Sequence, residues 1–213
     1  MVNLTRIYTR TGDQGTTALG DFSRTAKTDV RLAAYADTNE ANAAIGIALA
    51  AGNVRDDVRA TLLRVQNDLF DVGADLATPL RPSYAYEPLR VRSAWIDELE
   101  ADCDRYNAEL EPLRSFILPG GSPASAYLHL ATTITRRAER STWAAIATYG
   151  DQPAPEEEAG GVNPEAATYL NRLSDLLFIL ARVANLDAGG DVLWQPGGGR
   201  AEAPQRRARQ SDR

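Results

Sequence analysis

Apolar positions recur along the chain in five blocks with helical spacing, separated mostly by short polar links. The clearest block runs from about Val54 to Ala77, where Val58, Leu62, Val65, Leu69, Val72 and Leu76 alternate four and three residues apart. That heptad-like seam predicts a helix packed at about +20° against its neighbours, stopped by Thr78-Pro79. Before it, an alanine-rich block from Lys27 to about Gly52 predicts a helix with Leu32, Tyr35, Ala36, Ala43, Ile47 and Ala50 on its buried side. After a Pro- and Tyr-containing link over 80–87, a more charged helix is expected from about Pro88 to Leu110, with Trp95, Leu99 and Tyr106 turned inward. A last helix starts at Asn163-Pro164, an N-cap followed by proline, and runs to about Asn185; leucine, isoleucine and phenylalanine cover most of its surface, which marks it as central. Polar Asn171, Ser174 and Asp175 on such an element need partners or a ligand.

The fourth block carries the most chemistry. Ser122-Pro123 predicts its start, and Tyr127, Ala131, Ile134, Ala138 and Ala145 form its apolar stripe. The opposite face aligns His129, Thr132, Arg136, Glu139 and Arg140, while Arg137 points elsewhere. Such a face either solvates itself through ion pairs three and four residues apart or receives an anion. Just upstream, Phe116-Ile-Leu-Pro-Gly-Gly makes an irregular exposed turn, with Phe116 facing a ligand or packing inward. Residues 3–26 form a polar arm without helical period, loop with a short extended piece. Its Gly12 and Gly15, among threonines and Arg10, offer N–H groups and hydroxyls suited to phosphate or simply make a turn; the Gly-x4-Gly-Lys-Ser/Thr phosphate loop is absent. Asp151 to Gly161 is an acidic surface loop, and Asp191-Val-Leu-Trp194 is expected to dock back on the bundle.

The whole is an all-α five-helix bundle: one domain over 1–196 with its N-terminal arm, and a disordered tail over 197–213. At 213 residues and 44% hydrophobic content the chain can bury a sizeable core. Its net charge of -6 argues against general affinity for nucleic acid or anionic membranes, so any anion site is local. One cysteine, Cys103, excludes an internal disulfide. With no apolar signal core at the N-terminus and no spanning segment, a soluble, cytoplasmic protein is expected. Lys27 is the only lysine among 23 basic residues, a compact charge that a guanidinium does not imitate. A single histidine rules out the paired Glu-x-x-His motifs of a di-iron bundle and leaves the usual zinc ligand sets unsupported. What remains suits phosphate: the Gly/Thr arm, Arg10, Lys27, the Arg136–Arg140 cluster and Asn171.

Taken in order, Thr9-Arg-Thr-Gly-Asp13-x-Gly-Thr-Thr17, Lys27-x-Asp-x-Arg31-x3-Tyr35, Phe116-Ile-Leu-Pro-Gly-Gly121, Arg136-Arg-Ala-Glu-Arg140 and Tyr169-Leu-Asn-Arg-Leu-Ser-Asp175 resemble the PduO-type ATP:cob(I)alamin adenosyltransferases over about residues 5–196. The resemblance implies a ferritin-like bundle of the cobalamin adenosyltransferase kind, a homotrimer with active sites at subunit interfaces, and ATP with Mg2+ and cobalamin as the bound small molecules. It also implies a reductase that supplies electrons and a cobalamin-dependent mutase downstream. It assigns catalysis to Arg136, Phe116 and Lys27. ATP contacts fall to Thr9, Arg10, Thr11, Gly12, Thr17, Lys27, Arg136, Glu139, Arg140 and Asn171, and corrinoid contacts to Phe116, Asn39, Thr132 and Ser174. Magnesium is expected mainly through ATP phosphates. By this resemblance Phe116 occupies the lower face of the corrin, which turns it from a packing residue into a ligand residue. Two positions depart from the family pattern: Asn39 and Thr132 stand where an aspartate and an arginine usually form an intersubunit salt bridge. Because both are neutral, no buried charge is stranded. Weaker corrinoid binding or a different corrinoid preference is expected. A non-catalytic ATP- or corrinoid-binding delivery or sensing protein, and a purely structural helical oligomer, are the competing readings.

Overall fold

The computed structural model describes residues 8–198, so the expected tail beyond Gly198 lies outside the described residues. Five helices form the bundle: α1 (Val30–Ala51), α2 (Asp56–Leu76), α3 (Ser93–Asn107), α4 (Pro123–Tyr149) and α5 (Pro164–Val183). α4 lies between α1 and α5, α1 also packs on α2, and α3 covers α5. No helix among the described residues is long and apolar enough to cross a membrane.

The seam of α2 is buried at all six positions, from Val58 to Leu76. Each such side chain stabilises the bundle by roughly 1.5–3 kcal/mol relative to exposure. Ser122 and Asn163 cap α4 and α5, accepting from the amides of Ser125 and Glu165, with proline in the first turn of each helix. Their short polar side chains satisfy amides that the helix cannot.

The α1 expectation needs correction. Its cap is Asp29, and the helix begins at Val30. The buried stripe is Leu32, Ala34, Thr38, Ala41, Ala44, Ile45 and Ala48, whereas Ala36, Ala43, Ile47 and Ala50 face outward. Alanine on every side gave no contrast, and the real stripe contains polar residues that are internally satisfied. Thr38 donates to the Ala34 carbonyl; Asn42 and Gln66 exchange amide-to-carbonyl bonds between α1 and α2. α1 ends at Gly52, where a Cβ would sit 2.9 Å from the Ala124 Cα, so only glycine admits the start of α4.

α3 starts five residues later than expected, because the chain before it is drawn out by Asp75. That carboxylate, wholly buried, accepts from the Val91 amide and the Asn163 side-chain amide and pairs with Arg90. It ties the end of α2 to the approach of α3 and the cap of α5. Short extended pairings complete the described fold. The extended piece of the arm is a hairpin: Thr16–Ala18 (β1) and Arg24–Ala26 (β2) pair antiparallel. Asp191–Trp194 does dock back: Ile117 bridges Leu193, and the Leu118 and Trp194 amides donate to Val192 and Phe116 carbonyls.

Candidate functional site

Two groups of side chains meet the chemistry expected of an anion site, and they sit at different stations of the bundle. The first is on α4 and α5. Arg136 Nε donates to Ser174 Oγ at 3.4 Å, and Asn171 Nδ2 donates to Glu139 Oε1 at 3.2 Å. Arg136 and Arg140 are exposed, and neither forms an ion pair among the described residues. Arg137, by contrast, turns to α1, where Asp37 and Glu40 neutralise it. Of three adjacent guanidinium groups, the inward one is spent on packing and the outward two keep their charge. The self-solvated reading of this face requires Glu139 to pair with its arginines, and it is held by Asn171 instead.

The N-terminal half of the same face is not open. His129 and Thr132 share the azimuth of Arg136, yet are only 5% and 3% exposed. His129 lies edge-on to Phe178 of α5, and the Thr132 hydroxyl donates to the Leu128 carbonyl of its own helix. Helical spacing gives direction around α4 but not how far α5 covers it. Burial pushes the His129 pKa down, against a weaker opposing pull from Asp191. Asn39 is exposed on the side of α1 that faces Gly73 of α2, and no hydrogen bond joins it to Thr132 among the described residues.

The second group is the arm. Thr9 and Thr11 hydroxyls share a 2.9 Å hydrogen bond, and Arg24 donates to the Thr11 carbonyl and the Thr16 hydroxyl. Arg10 adopts φ 63°, an uncommon left-handed conformation for a side-chain-bearing residue, and is exposed beside the Tyr8 ring. The Lys27 amide donates to the Gly15 carbonyl, and its ammonium lies over Gly12, where a Cβ would approach Nζ to 2.9 Å. Glycine at 12 therefore lets the ammonium rest against backbone. Thr17 and Lys27 border a 340 Å³ cleft continued by Leu32, Tyr35 and Ala36 of α1.

Asp29 anchors this arm. Its carboxylate accepts from Thr25, Tyr149 and the Arg31 amide; burial opposes ionisation, but these three donors hold its carboxyl below the usual range. The Arg31 guanidinium, in a residue 2% exposed, stacks 4.9 Å from the Tyr149 ring centre and donates to the carbonyls of Leu76, Gly160 and Gly161. Sequence spacing marked Lys27-x-Asp-x-Arg but gave no partner for Asp29; Tyr149 lies 120 residues away.

At the other end of α4, Phe116 is 78% exposed and meets Trp194 edge-on, with ring centres 6.0 Å apart. The exposed ring does not match the inward-packing alternative. Asn185 holds the intervening turn by accepting from the Ser122 amide and donating to the Gly120 carbonyl, and Arg182 pairs with Asp191 beneath it. Trp194 was not singled out as a site residue by sequence; its only signal was the apolar docking segment.

Residues 7–184 match the family described as cobalamin adenosyltransferase. The chain is similar to the corrinoid adenosyltransferase of Mycobacterium tuberculosis, with 60% identity over 199 residues, covering 93% of this chain and 97% of that one. It is 40% identical over 195 residues to the corrinoid adenosyltransferase of Bacillus subtilis, covering 89% and 92%. Among solved structures it resembles a variant PduO-type ATP:corrinoid adenosyltransferase from Lactobacillus reuteri complexed with cobalamin and ATP, at 32% identity and a TM-score of 0.78 over 89% of this chain and 99% of that one.

Proposed function

The chain belongs to the cobalamin adenosyltransferase family, and from that premise we propose how its residues carry out the family reaction. It is a corrinoid adenosyltransferase: Co(I) of a reduced corrinoid attacks the 5' carbon of ATP. A cobalt–carbon bond forms as the carbon–oxygen bond breaks, and triphosphate departs with the electron pair. The leaving group gathers negative charge, so cations already fixed around it lower the barrier. Arg136 and Arg140, exposed and in no ion pair among the described residues, are assigned to the triphosphate, with Arg10 and Lys27 supplied by the arm. Glu139 and Asn171 hold the nucleotide from the helices, and Thr9, Thr11, Gly12 and Thr17 wrap it. The observation that carries this reading is the contrast between neutralised Arg137 and Arg136 and Arg140, which join no ion pair among the described residues.

Among the described residues no cluster of three or more His, Cys, Asp or Glu is arranged to hold a metal. The donor set of cations and hydroxyls fits magnesium carried on phosphate oxygens, where it would offset part of the triphosphate charge. Phe116 is assigned to the lower face of the corrin, where an aromatic side chain keeps a base off cobalt and makes Co(II) easier to reduce. Asn39 is the remaining exposed corrinoid residue, and Ser174 and Thr132, 2% and 3% exposed, are assigned to the corrinoid side from beneath the surface. The neutral pair Asn39 and Thr132 is proposed to weaken corrinoid binding or shift its preference. Restoring charge with Asn39→Asp together with Thr132→Arg should change corrinoid affinity more than either substitution alone; identical affinities would refute this.

We also infer a homotrimer with interfacial sites, served by a reductase and feeding a cobalamin-dependent mutase. Arg140 and Arg136 precede Tyr149, the anchor of the arm, by nine and thirteen residues. At about 1.5 Å per residue that is roughly 14 and 20 Å along α4. One triphosphate engages both stations most simply when a neighbouring copy supplies one of them. The outward apolar stripe of α1 and exposed Trp143 on α4 give copies a face on which to pack. Analytical ultracentrifugation should find a trimer, and a stable active monomer would overturn the arrangement. Purified protein with ATP, magnesium and chemically reduced cobalamin under anaerobic conditions should yield adenosylcobalamin and triphosphate. Tight ATP binding without turnover would favour the delivery or sensing alternative, and neither binding nor turnover the structural one.

A further inference from the structure

Resting on the assignment of Lys27 to the triphosphate, we propose that Asp29 and Tyr149 are positioning residues for ATP, fastening the segment that carries Lys27 to the C-terminal end of α4. The two oxygens of Asp29 have different tasks. Oδ1 accepts from the Arg31 amide at 2.7 Å and caps α1, a local duty that needs one oxygen. Oδ2 takes no part in the cap; it accepts the Thr25 hydroxyl at 2.6 Å and the Tyr149 hydroxyl at 2.7 Å. A strand residue and the last residue of a distant helix thus meet on one oxygen.

Lys27 stands midway between Thr25 and Asp29, and its own amide is bonded to the Gly15 carbonyl at 2.8 Å. Its backbone is therefore held before, at and after the residue, while its long side chain crosses Gly12. Tyr149 is a fixed reference because Arg31 stacks on its ring and grips the carbonyls of Leu76, Gly160 and Gly161. The end of α2, the loop after α4 and the start of α1 converge there, so the hydroxyl of Tyr149 cannot drift independently of the bundle. A lysine on a polar arm has many rotamers, and a displacement of about 1 Å at a reacting group can cost on the order of a hundredfold in rate. Three anchors reduce that freedom.

Asp29→Asn separates the two duties. Asparagine caps a helix about as well as aspartate and keeps an oxygen for the Arg31 amide, but its NH2 cannot accept the two hydroxyls. Tyr149→Phe keeps the ring under Arg31 and removes one donor. Each variant should lower kcat/KM for ATP by about tenfold while leaving the KM for corrinoid unchanged. The double variant should lose no more than the stronger single, since both remove one shared interaction. Thr25→Val should follow them and Thr25→Ser should retain activity. Lys27→Ala is the control for the underlying assignment. If it leaves kcat/KM for ATP unchanged, the role of Lys27 is wrong and this proposal falls with it. If Lys27→Ala impairs ATP use while Asp29→Asn and Tyr149→Phe stay within twofold of the parent, Lys27 stands and the positioning role is overturned. A lowered melting temperature with unchanged kinetics would overturn it equally, leaving Asp29 as a helix cap alone.

Discussion

Arg136→Ala separates catalysis from stability more cleanly than any other substitution in the site. The side chain is exposed, its one hydrogen bond is the long 3.4 Å contact to Ser174, and it joins no ion pair among the described residues. Removing it should alter folding stability by no more than about 0.5 kcal/mol, partly offset by the better helix propensity of alanine. At roughly 2–4 °C per kcal/mol for a domain of this size, the melting temperature should move by about 2 °C at most. The chemical cost is larger. One preorganised group facing developing charge contributes about 2.7–4 kcal/mol, or a factor of about 10² to 10³ in kcat. Arg136→Lys keeps the charge but not the planar fork and should fall between. Turnover is followed anaerobically with pre-reduced cobalamin and saturating ATP, measuring adenosylcobalamin and released triphosphate, beside a thermal melt of the same preparation. A fall below about tenfold in both kcat and kcat/KM for ATP would place the triphosphate elsewhere. A higher KM with unchanged kcat would mean that Arg136 binds ATP and transition state alike. A melting drop beyond about 5 °C, by the same scale, would show that the side chain supports the fold.

Phe116→Ala should leave the melt unchanged because the ring is mostly exposed, while turnover starting from Co(II) and a reductant falls by about tenfold or more. Turnover from pre-reduced Co(I) should fall less, and equal losses would contradict a role in reduction. Asp75→Ala leaves Arg90, the Val91 amide and Asn163 without their buried partner, at a cost of about 3–5 kcal/mol. A melting temperature within about 3 °C of the parent would refute that, given the scale above. His129 makes stability pH-dependent, because its folded-state pKa lies below the ordinary value of 6.5. As pH falls below 6.5 the unfolded chain takes up a proton that the folded chain resists, so stability declines by up to about 1.4 kcal/mol per pH unit. His129→Gln should flatten urea-derived stability between about pH 5 and 6.5, and an unchanged slope would assign it to other groups.

Where apolar contrast was strong, sequence located structure well: the α2 seam, the Ser-Pro and Asn-Pro starts of α4 and α5, and the docking of Asp191–Trp194. Contrast failed on α1, where alanines face every way and buried Thr38 and Asn42 imitate surface residues. Within the site, the direction of Arg136, Glu139 and Arg140 around α4 followed from helical spacing. The cover over His129 and Thr132 did not, because it depends on which part of α5 lies opposite. The arm's extended piece was legible but its pairing into a hairpin was not, because strands of three residues are too short for an alternation to register. The Asp29–Tyr149 bond was hidden by chain separation, which no local pattern encodes.

The pairing of Ile117 with Leu193 sets an order of assembly for a protein growing from its N-terminus. Helices α1 to α4 can collapse on one another as they emerge, but the wall that carries Phe116 waits for a strand partner supplied 76 residues later. During synthesis, the aromatic surface therefore takes its final form among the last events. A truncated product lacking that segment would keep the helix that carries Arg136 and Arg140 but would have no finished wall beside Phe116.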